Sequence, residues 1–363
     1  MRRSIYRRSV CTAAFAGVTL LTAGLLGAGA HAAPAEQPQQ EQSLADYIKD
    51  GLKDKSAEPK TAEAVAASEG SVSSDTEGFG PAQNTFVEAF AYGAAHPDVA
   101  PPGANDWSCK PTEAHPEPVV LVHGTWENAY NNFAAISQPI KDAGYCVFTF
   151  NYGKLSIDQG GGVGSLLPGA NGTGYIEESS KQLATFVDRV LDATTAAKVN
   201  IVGHSQGGPM SLWYLENEGG AAKVHHEITF GGTNHGTTLA GIGALGRAIN
   251  NLGIDILGPV ELLVGHAGIQ QTVGSDFINA LTANGDTVPG VDYTIVGSRY
   301  DEVTTPYDST FLEAGEGATV KNITLQDGCE TDLAEHLGLM YSKRSLSIIL
   351  NTLDPEQTPD LTC

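Results

Sequence analysis

The run Asn200-Ile201-Val202-Gly203-His204-Ser205-Gln206-Gly207-Gly208-Pro209 constrains this 363-residue chain more than any other. A β-branched strand breaks into G-x-S-x-G and passes straight into a segment carrying Met210, Trp213, Tyr214 and Leu215 at helical spacing, which Gly219-Gly220 stops. A sharp strand-to-helix turn of this kind holds a serine on strained backbone, with Oγ clear of the carboxyl edge of a parallel sheet. Gly203 and Gly207 suit the turn because, lacking Cβ, they let strand and helix pass closely on either side. Pro209 is tolerated in the first helical turn. In a chain with 43 glycines the five-residue pattern also arises by chance, so its context must carry the reading. The plainer alternative is a glycine-rich turn whose serine only caps the helix.

The context is an alternation of strand-like and helix-like segments. Strands are predicted at Pro118 to Val122, Tyr145 to Phe150, Val199 to Val202, Glu227 to Phe230, Asp292 to Val296 and Val320 to Leu325. Helices are predicted at Asn132 to Ala143, Ile176 to Leu191 and Gln206 to Glu218, with a long glycine-rich loop over residues 153–174. Apolar strands separated by helices predict an α/β fold: a mostly parallel central sheet, each strand apolar on both faces, flanked by helices on both sides. Functional loops then gather at its carboxyl edge.

The ends of the chain read differently. Arg2, Arg3, Arg7 and Arg8, the apolar stretch from Val10 to Ala30 and the Ala30-His31-Ala32 site make residues 1–32 a cleavable signal peptide. Residues 33–80, rich in Ala, Glu, Gln, Ser and Lys, bury too little apolar surface to offset ordering entropy and read as a disordered pro-region or tether. Residues 81–363 are left as one catalytic domain. The reading is of an exported, extracellular monomer without stable membrane anchoring. Removing the leader takes four of the 20 basic residues and none of the 42 acidic ones, and so acidic a surface disfavours nucleic acid and anionic membranes as partners.

Cys109, Cys146, Cys329 and Cys363 remain after the leader, with no C-x-x-C metal spacing. In an oxidising compartment they form two disulfides, of three possible connectivities. Cys109 with Cys146 and Cys329 with Cys363 is favoured because each closes a moderate loop.

A serine at neutral pH needs a base, and the base an orienting acid. After the strand Tyr293 to Val296 comes Gly297-Ser298-Arg299-Tyr300-Asp301-Glu302, which makes Asp301 the expected acid and Glu302 its nearest rival. In the chain order Ser, acid, His, only His336 follows residue 301, so it is the expected base. The other histidines have structural readings; His225-His226 reads as an isolated pair without the carboxylate and spacing of a zinc site, so neither metal nor cofactor is expected. Acyl transfer also requires donors to a developing oxyanion: the main-chain N–H of Gln206 and, from the loop His123-Gly124-Thr125-Trp126, that of Thr125, whose hydroxyl is a possible third donor.

The segments PVVLVHGTWEN, GYCVFTFNYG, KVNIVGHSQGG, NHGTTLAG, QQTVGSDF, GDTVPGVDYTIVGSRYDEVTTPY and LQDGCETDLAEHLGL resemble the extracellular class 2 lipases of actinobacteria, over about Cys109 to Leu353. The resemblance implies the α/β-hydrolase fold, triacylglycerol or other carboxylic ester substrates, an acyl-enzyme intermediate, Ser205 as nucleophile, Asp301 as acid, His336 as base, and Thr125 and Gln206 as oxyanion hole. A secreted esterase or polyester depolymerase acting on soluble or polymeric esters is the alternative. Some relatives carry a further cysteine pair where this chain has Gly265 and Gly268. The stretch from Leu239 to Val264 reads equally as a mobile acyl-binding wall or as two short core helices. Leu166, Leu167, Leu257 and Leu263 are the expected acyl contacts.

Overall fold

The computed structural model describes residues 80–238, 240–242, 260–358 and 360–363, and for 260–263 the backbone alone. The expected signal peptide and pro-region, most of the segment from Leu239 to Val264, and Leu257 lie outside the described residues, as does the Leu263 side chain. Every described residue belongs to one compact unit, Gly51–Cys363.

Among the described residues six strands form one sheet: β1 (Val119–Val122), β2 (Val147–Thr149), β3 (Val199–His204), β4 (Val224–Phe230), β5 (Asp292–Gly297) and β6 (Thr319–Thr324). Their spatial order is β2-β1-β3-β4-β5-β6, and every pairing is parallel. Parallel neighbours need crossovers. α1 (Phe86–Ala95) precedes the sheet; α2 (Ala129–Phe133) and α3 (Ser137–Asp142) join β1 to β2, α4 (Ile176–Thr194) leads to β3, and β5 reaches β6 through a loop whose one helical turn is the 3₁₀ turn Tyr307–Thr310. Beyond β3 come α5 (Gly207–Asn217), α6 (Val260–Gln270), α7 (Asp276–Leu281) and the closing α8 (Lys343–Leu353). Alternate residues of the central strands feed two cores. Val120, Val122, Ile201 and Ile295 pack with Phe186, Val187, Met210 and Leu215 of α4 and α5 on one face. Val119, Leu121, Val202, Ile228 and Val296 pack with Phe133, Ile140, Ile348 and Ile349 on the other.

The sequence expectations need correction in three places. The helix expected over Asn132 to Ala143 is two pieces: Asn128 caps the first, sharing reciprocal side-chain bonds with Asn131, and the chain turns at residues 134–136 before α3 begins. Not every strand is apolar on both faces. β6 is the exposed edge, and β4 buries Glu227 completely; burial pushes its carboxyl up to about 8 against the opposing hydrogen bond from Thr229. The third correction concerns β4's start. Val199 pairs with Val224 but Ile201 with Glu227, so His225 and His226 together oppose the single residue Asn200.

Two disulfides, Cys109–Cys146 and Cys329–Cys363, close loops of 37 and 34 residues. Each contributes about 3–4 kcal/mol on the chain-entropy account. The first ties the segment before β1 to the entry of β2, and the second ties the C-terminus to the loop after β6. Among the described residues no helix is long and apolar enough to cross a membrane.

Candidate active site

The turn after β3 is the sharpest point of the fold. Ser205 has φ +53°, a region that costs a residue with a Cβ of the order of 1 kcal/mol or more. Its surroundings hold it there. The Ser205 N–H donates to the Phe230 carbonyl of β4, and the Gly208 N–H donates back to the Ser205 carbonyl. A Cβ on Gly203 would stand 2.9 Å from the Gly207 carbonyl carbon, and one on Gly207 would strike the Val122 carbonyl of β1, so only glycine lets the helix leave so close to the sheet.

The carboxyl edge brings Asp301 and His336 to this serine. His336 Nε2 lies 2.9 Å from Ser205 Oγ, and His336 Nδ1 lies 3.0 and 2.9 Å from the two Asp301 oxygens. All three residues are buried. Asp301 sits in the turn after β5, where its Oδ1 accepts the main-chain N–H groups of Val303 and Thr304, which fixes the carboxylate plane. Glu302 does not reach the imidazole: it accepts from the main-chain N–H of His336 instead, at 3.4 Å. Burial alone would lower the His336 pKa. The Asp301 charge and hydrogen bond, with smaller contributions from Glu302 and Glu127, outweigh that and raise it to about 8.

The loop after β1 closes against the other side of Ser205. A Cβ on Gly124 would lie 2.9 Å from that of Ser205. Thr125 and Gln206 are both buried, and among the described residues no acceptor is hydrogen-bonded to the main-chain N–H of either. The Thr125 hydroxyl is not the third donor that the sequence suggested, because it donates to Gln206 Oε1 at 2.7 Å. Gln271, just past α6, donates from Nε2 to Thr125 Oγ1 at 2.8 Å, and its Oε1 accepts from Thr233 at 2.9 Å. Gln271 thereby links α6 to the loop after β1 and to the loop after β4. Its only trace in sequence is its place in the QQTVGSDF segment.

A second polar layer also went unread. Glu127 is buried, with Oε2 accepting the Gly124 N–H at 2.9 Å and lying 3.1 Å from His204 Nδ1; Asn132 Nδ2 donates to Glu127 Oε1 at 2.9 Å. His204 Nε2 lies 3.0 Å from the His336 carbonyl. This layer connects the loop after β1, the strand before Ser205 and the main chain of His336. A glutamate beside Trp126 in the short turn straight after a wholly apolar strand, at HGTWEN, is the available signal.

Trp126, Leu167, Val303 and Leu337 form an apolar cluster with Phe86 and Phe90 of α1, and three of them immediately follow or nearly follow Thr125, Asp301 and His336 in sequence. Of the expected acyl contacts, Leu167 belongs to this cluster, while Leu166 is exposed. A cleft of about 410 Å³ opens beside it, lined by Phe86, Val87, Glu302, Leu337 and Tyr341 among others. Gly265 has φ +61° and interrupts α6.

Comparison with known proteins agrees with this architecture. A family model described as alpha/beta hydrolase fold matches residues 117–239, which include Thr125, Ser205 and Gln206 but neither Asp301 nor His336. A triacylglycerol lipase of Pseudarthrobacter phenanthrenivorans and another of Burkholderia plantarii are each 34% identical over 101 residues, 26% of this chain. The match spans about a quarter of those relatives, 27% and 24% of their lengths. Among solved structures, Aspergillus fumigatus lipase B superposes with a TM-score of 0.53 at 19% identity, covering 70% of this chain and 55% of that one. At that identity the likeness is one of fold.

Proposed function

We propose that this α/β-hydrolase is an exported serine ester hydrolase of the lipase type, acting on carboxylic esters including triacylglycerols through an acyl-enzyme. The observation that carries the proposal is the unbroken line from Ser205 Oγ to His336 Nε2 and from His336 Nδ1 to Asp301, buried at the carboxyl edge of the sheet. A hydrogen-bonded, strained serine beside an imidazole whose far nitrogen faces a carboxylate is arranged for nucleophilic catalysis. Two disulfide-closed loops suit an exported chain.

The chemistry runs in two halves. In the first, His336 Nε2 accepts the Ser205 proton as Oγ attacks the ester carbonyl carbon. Asp301 holds the ring and stabilises the imidazolium, and the main-chain N–H groups of Thr125 and Gln206 bind the oxyanion, the latter at the N-terminus of α5, where the helix dipole favours negative charge. Collapse expels the alcohol with the proton from His336, leaving the acyl group on Oγ. In the second half, water gives a proton to His336 and attacks the acyl carbon; breakdown returns the proton to Oγ and releases the carboxylic acid. The apolar cluster of Trp126, Leu167, Val303 and Leu337 is assigned to the acyl chain.

The test is chemical labelling followed by a substrate panel. A fluorophosphonate should modify Ser205 alone, as read by peptide mapping, and label on Ser298 or Ser211 would overturn the assignment. Hydrolysis of emulsified triglyceride as well as soluble p-nitrophenyl esters is expected. Activity confined to acetate and butyrate esters would support the soluble-ester alternative.

A further inference from the structure

The opposite end of the sheet holds a cluster that the ester chemistry does not use. The extra residue in β4 puts His225 and His226 side by side, their ring centroids 4.1 Å apart, whereas consecutive residues of a regular strand point to opposite faces. Asn200, opposite the bulge, fixes it by accepting the His226 N–H on its side-chain oxygen at 3.2 Å. Asp292, the first residue of β5, pairs in register with His226. The carboxylate that the sequence did not supply therefore comes from a neighbouring strand. One donor atom from each of His225, His226 and Asp292 lies within 4.8 Å of the others.

We propose that His225, His226 and Asp292 form a binding site for a divalent transition-metal cation of zinc's class, with Glu117 orienting His225. Two imidazoles and a carboxylate are the donor set that such cations select over calcium or magnesium, which prefer oxygen alone. Glu117, two residues before β1, sits with Oε2 2.7 Å from His225 Nδ1. This is the arrangement in which a carboxylate takes the proton-bearing nitrogen of a metal-ligating histidine and leaves the other nitrogen free for the metal. That other nitrogen, His225 Nε2, lies 3.8 Å from Asp292 Oδ2. Tetrahedral donors about 2.0–2.1 Å from zinc stand about 3.3–3.5 Å apart, so a small side-chain closure brings this pair into range. Closure is open to them, since His225 and Asp292 are 42% and 45% exposed. The His226 ring has no hydrogen-bond partner among the described residues. The exposed face of the cluster leaves room for water as a fourth ligand, and the strongly acidic chain draws cations toward it.

Bound metal would pin the segment before β1, the start of β4 and the start of β5 together, at the sheet edge remote from Ser205. The role is structural, because strands of this length put the cluster roughly 15–20 Å from the nucleophile. The test uses the full chain without a polyhistidine tag, stripped with EDTA and titrated with zinc chloride. One equivalent is expected to bind, and the thermal midpoint should rise by about 5 °C once zinc exceeds its Kd by 100-fold. His226→Ala and Asp292→Asn should each abolish both effects while leaving the metal-free thermal midpoint and the ester hydrolysis rate unchanged. Glu117→Gln should weaken zinc binding by about 10–100-fold without removing a ligand. Absence of a bound equivalent in the wild type overturns the site, as does equal zinc binding by the Asp292→Asn and His226→Ala variants. Should His226→Ala fail to fold, Asp292→Asn decides alone, since that residue is half exposed and its replacement keeps its shape.

Discussion

The two edges of the sheet carry the same residue types in opposite settings. At the carboxyl edge an imidazole and a carboxylate, His336 and Asp301, are buried and aligned on a serine. At the amino edge the imidazoles of His225 and His226 meet Asp292 and Glu117 with nearly half of His225 in water. Burial makes the difference. In a site closed to solvent the carboxylate charge acts on the ring at low effective dielectric, and it raises the His336 pKa even against desolvation. In the open setting the same pairing is weak on its own and leaves lone pairs that a cation can take.

The largest effect that can break the comparison is on the nucleophile. Ser205→Ala should reduce kcat on the order of 10⁶-fold with the thermal midpoint retained, as checked by ester hydrolysis and calorimetry. Appreciable residual turnover would mean that the buried edge is not where acylation occurs. Next comes the acid. Asp301→Asn should cost on the order of 10⁴ in kcat because the amide permits the wrong ring tautomer, whereas Glu302→Gln should be mild. A reversal of the two rates would transfer the role to the neighbour.

Gln271→Leu tests whether the loop after β1 needs its tie to the loop after β4. Removing one oxyanion donor costs 10²–10³ in kcat, and displacing Thr125 without deleting its N–H should cost less, with KM for a short ester little changed. Smaller still is the pH effect. With His336 raised to about 8, the base is protonated below that value, so kcat/KM should climb with pH and level off above about 8. Glu302→Gln removes one of the charges that raise it, so the climb should shift to lower pH. The same shift has a stability consequence. A folded-state pKa above the unfolded value of about 6.5 adds stability below that value, and this is lost as pH rises through about 8. At the amino edge, His226→Ala should leave the whole pH–rate profile unmoved. A displaced profile there would show that the two edges are coupled.

Legibility followed the range of the interactions. The turn at Ser205 was readable because its demands are local: a β-branched run, glycines on both sides where a Cβ would collide, and helical spacing beyond. Asp301 and His336 were readable as candidates because chain order and the positions of β5 and the last strand left few choices, and the folded chain brings both to Ser205. The disulfide pairing followed from loop length. Nothing local marks Gln271, 146 residues from Thr125, or His204, whose ring reaches a main-chain carbonyl 132 residues away.

Residue order alone set the alternation of elements, the parallel sheet and the strained turn, because these depend on periodicity and on where a side chain is missing. The fold had to form before three other features existed: the direction of the Thr125 hydroxyl, the buried layer of Glu127, Asn132 and His204, and the meeting of Asp292 with the histidine pair. The last is the plainest case. His225 and His226 looked alone in sequence because their carboxylates lie on the next strand and before the first, and one extra residue in β4 turned both rings to meet them. Which atoms end up within 3 Å depends on strand register and crossover packing, and no window of sequence contains that distance.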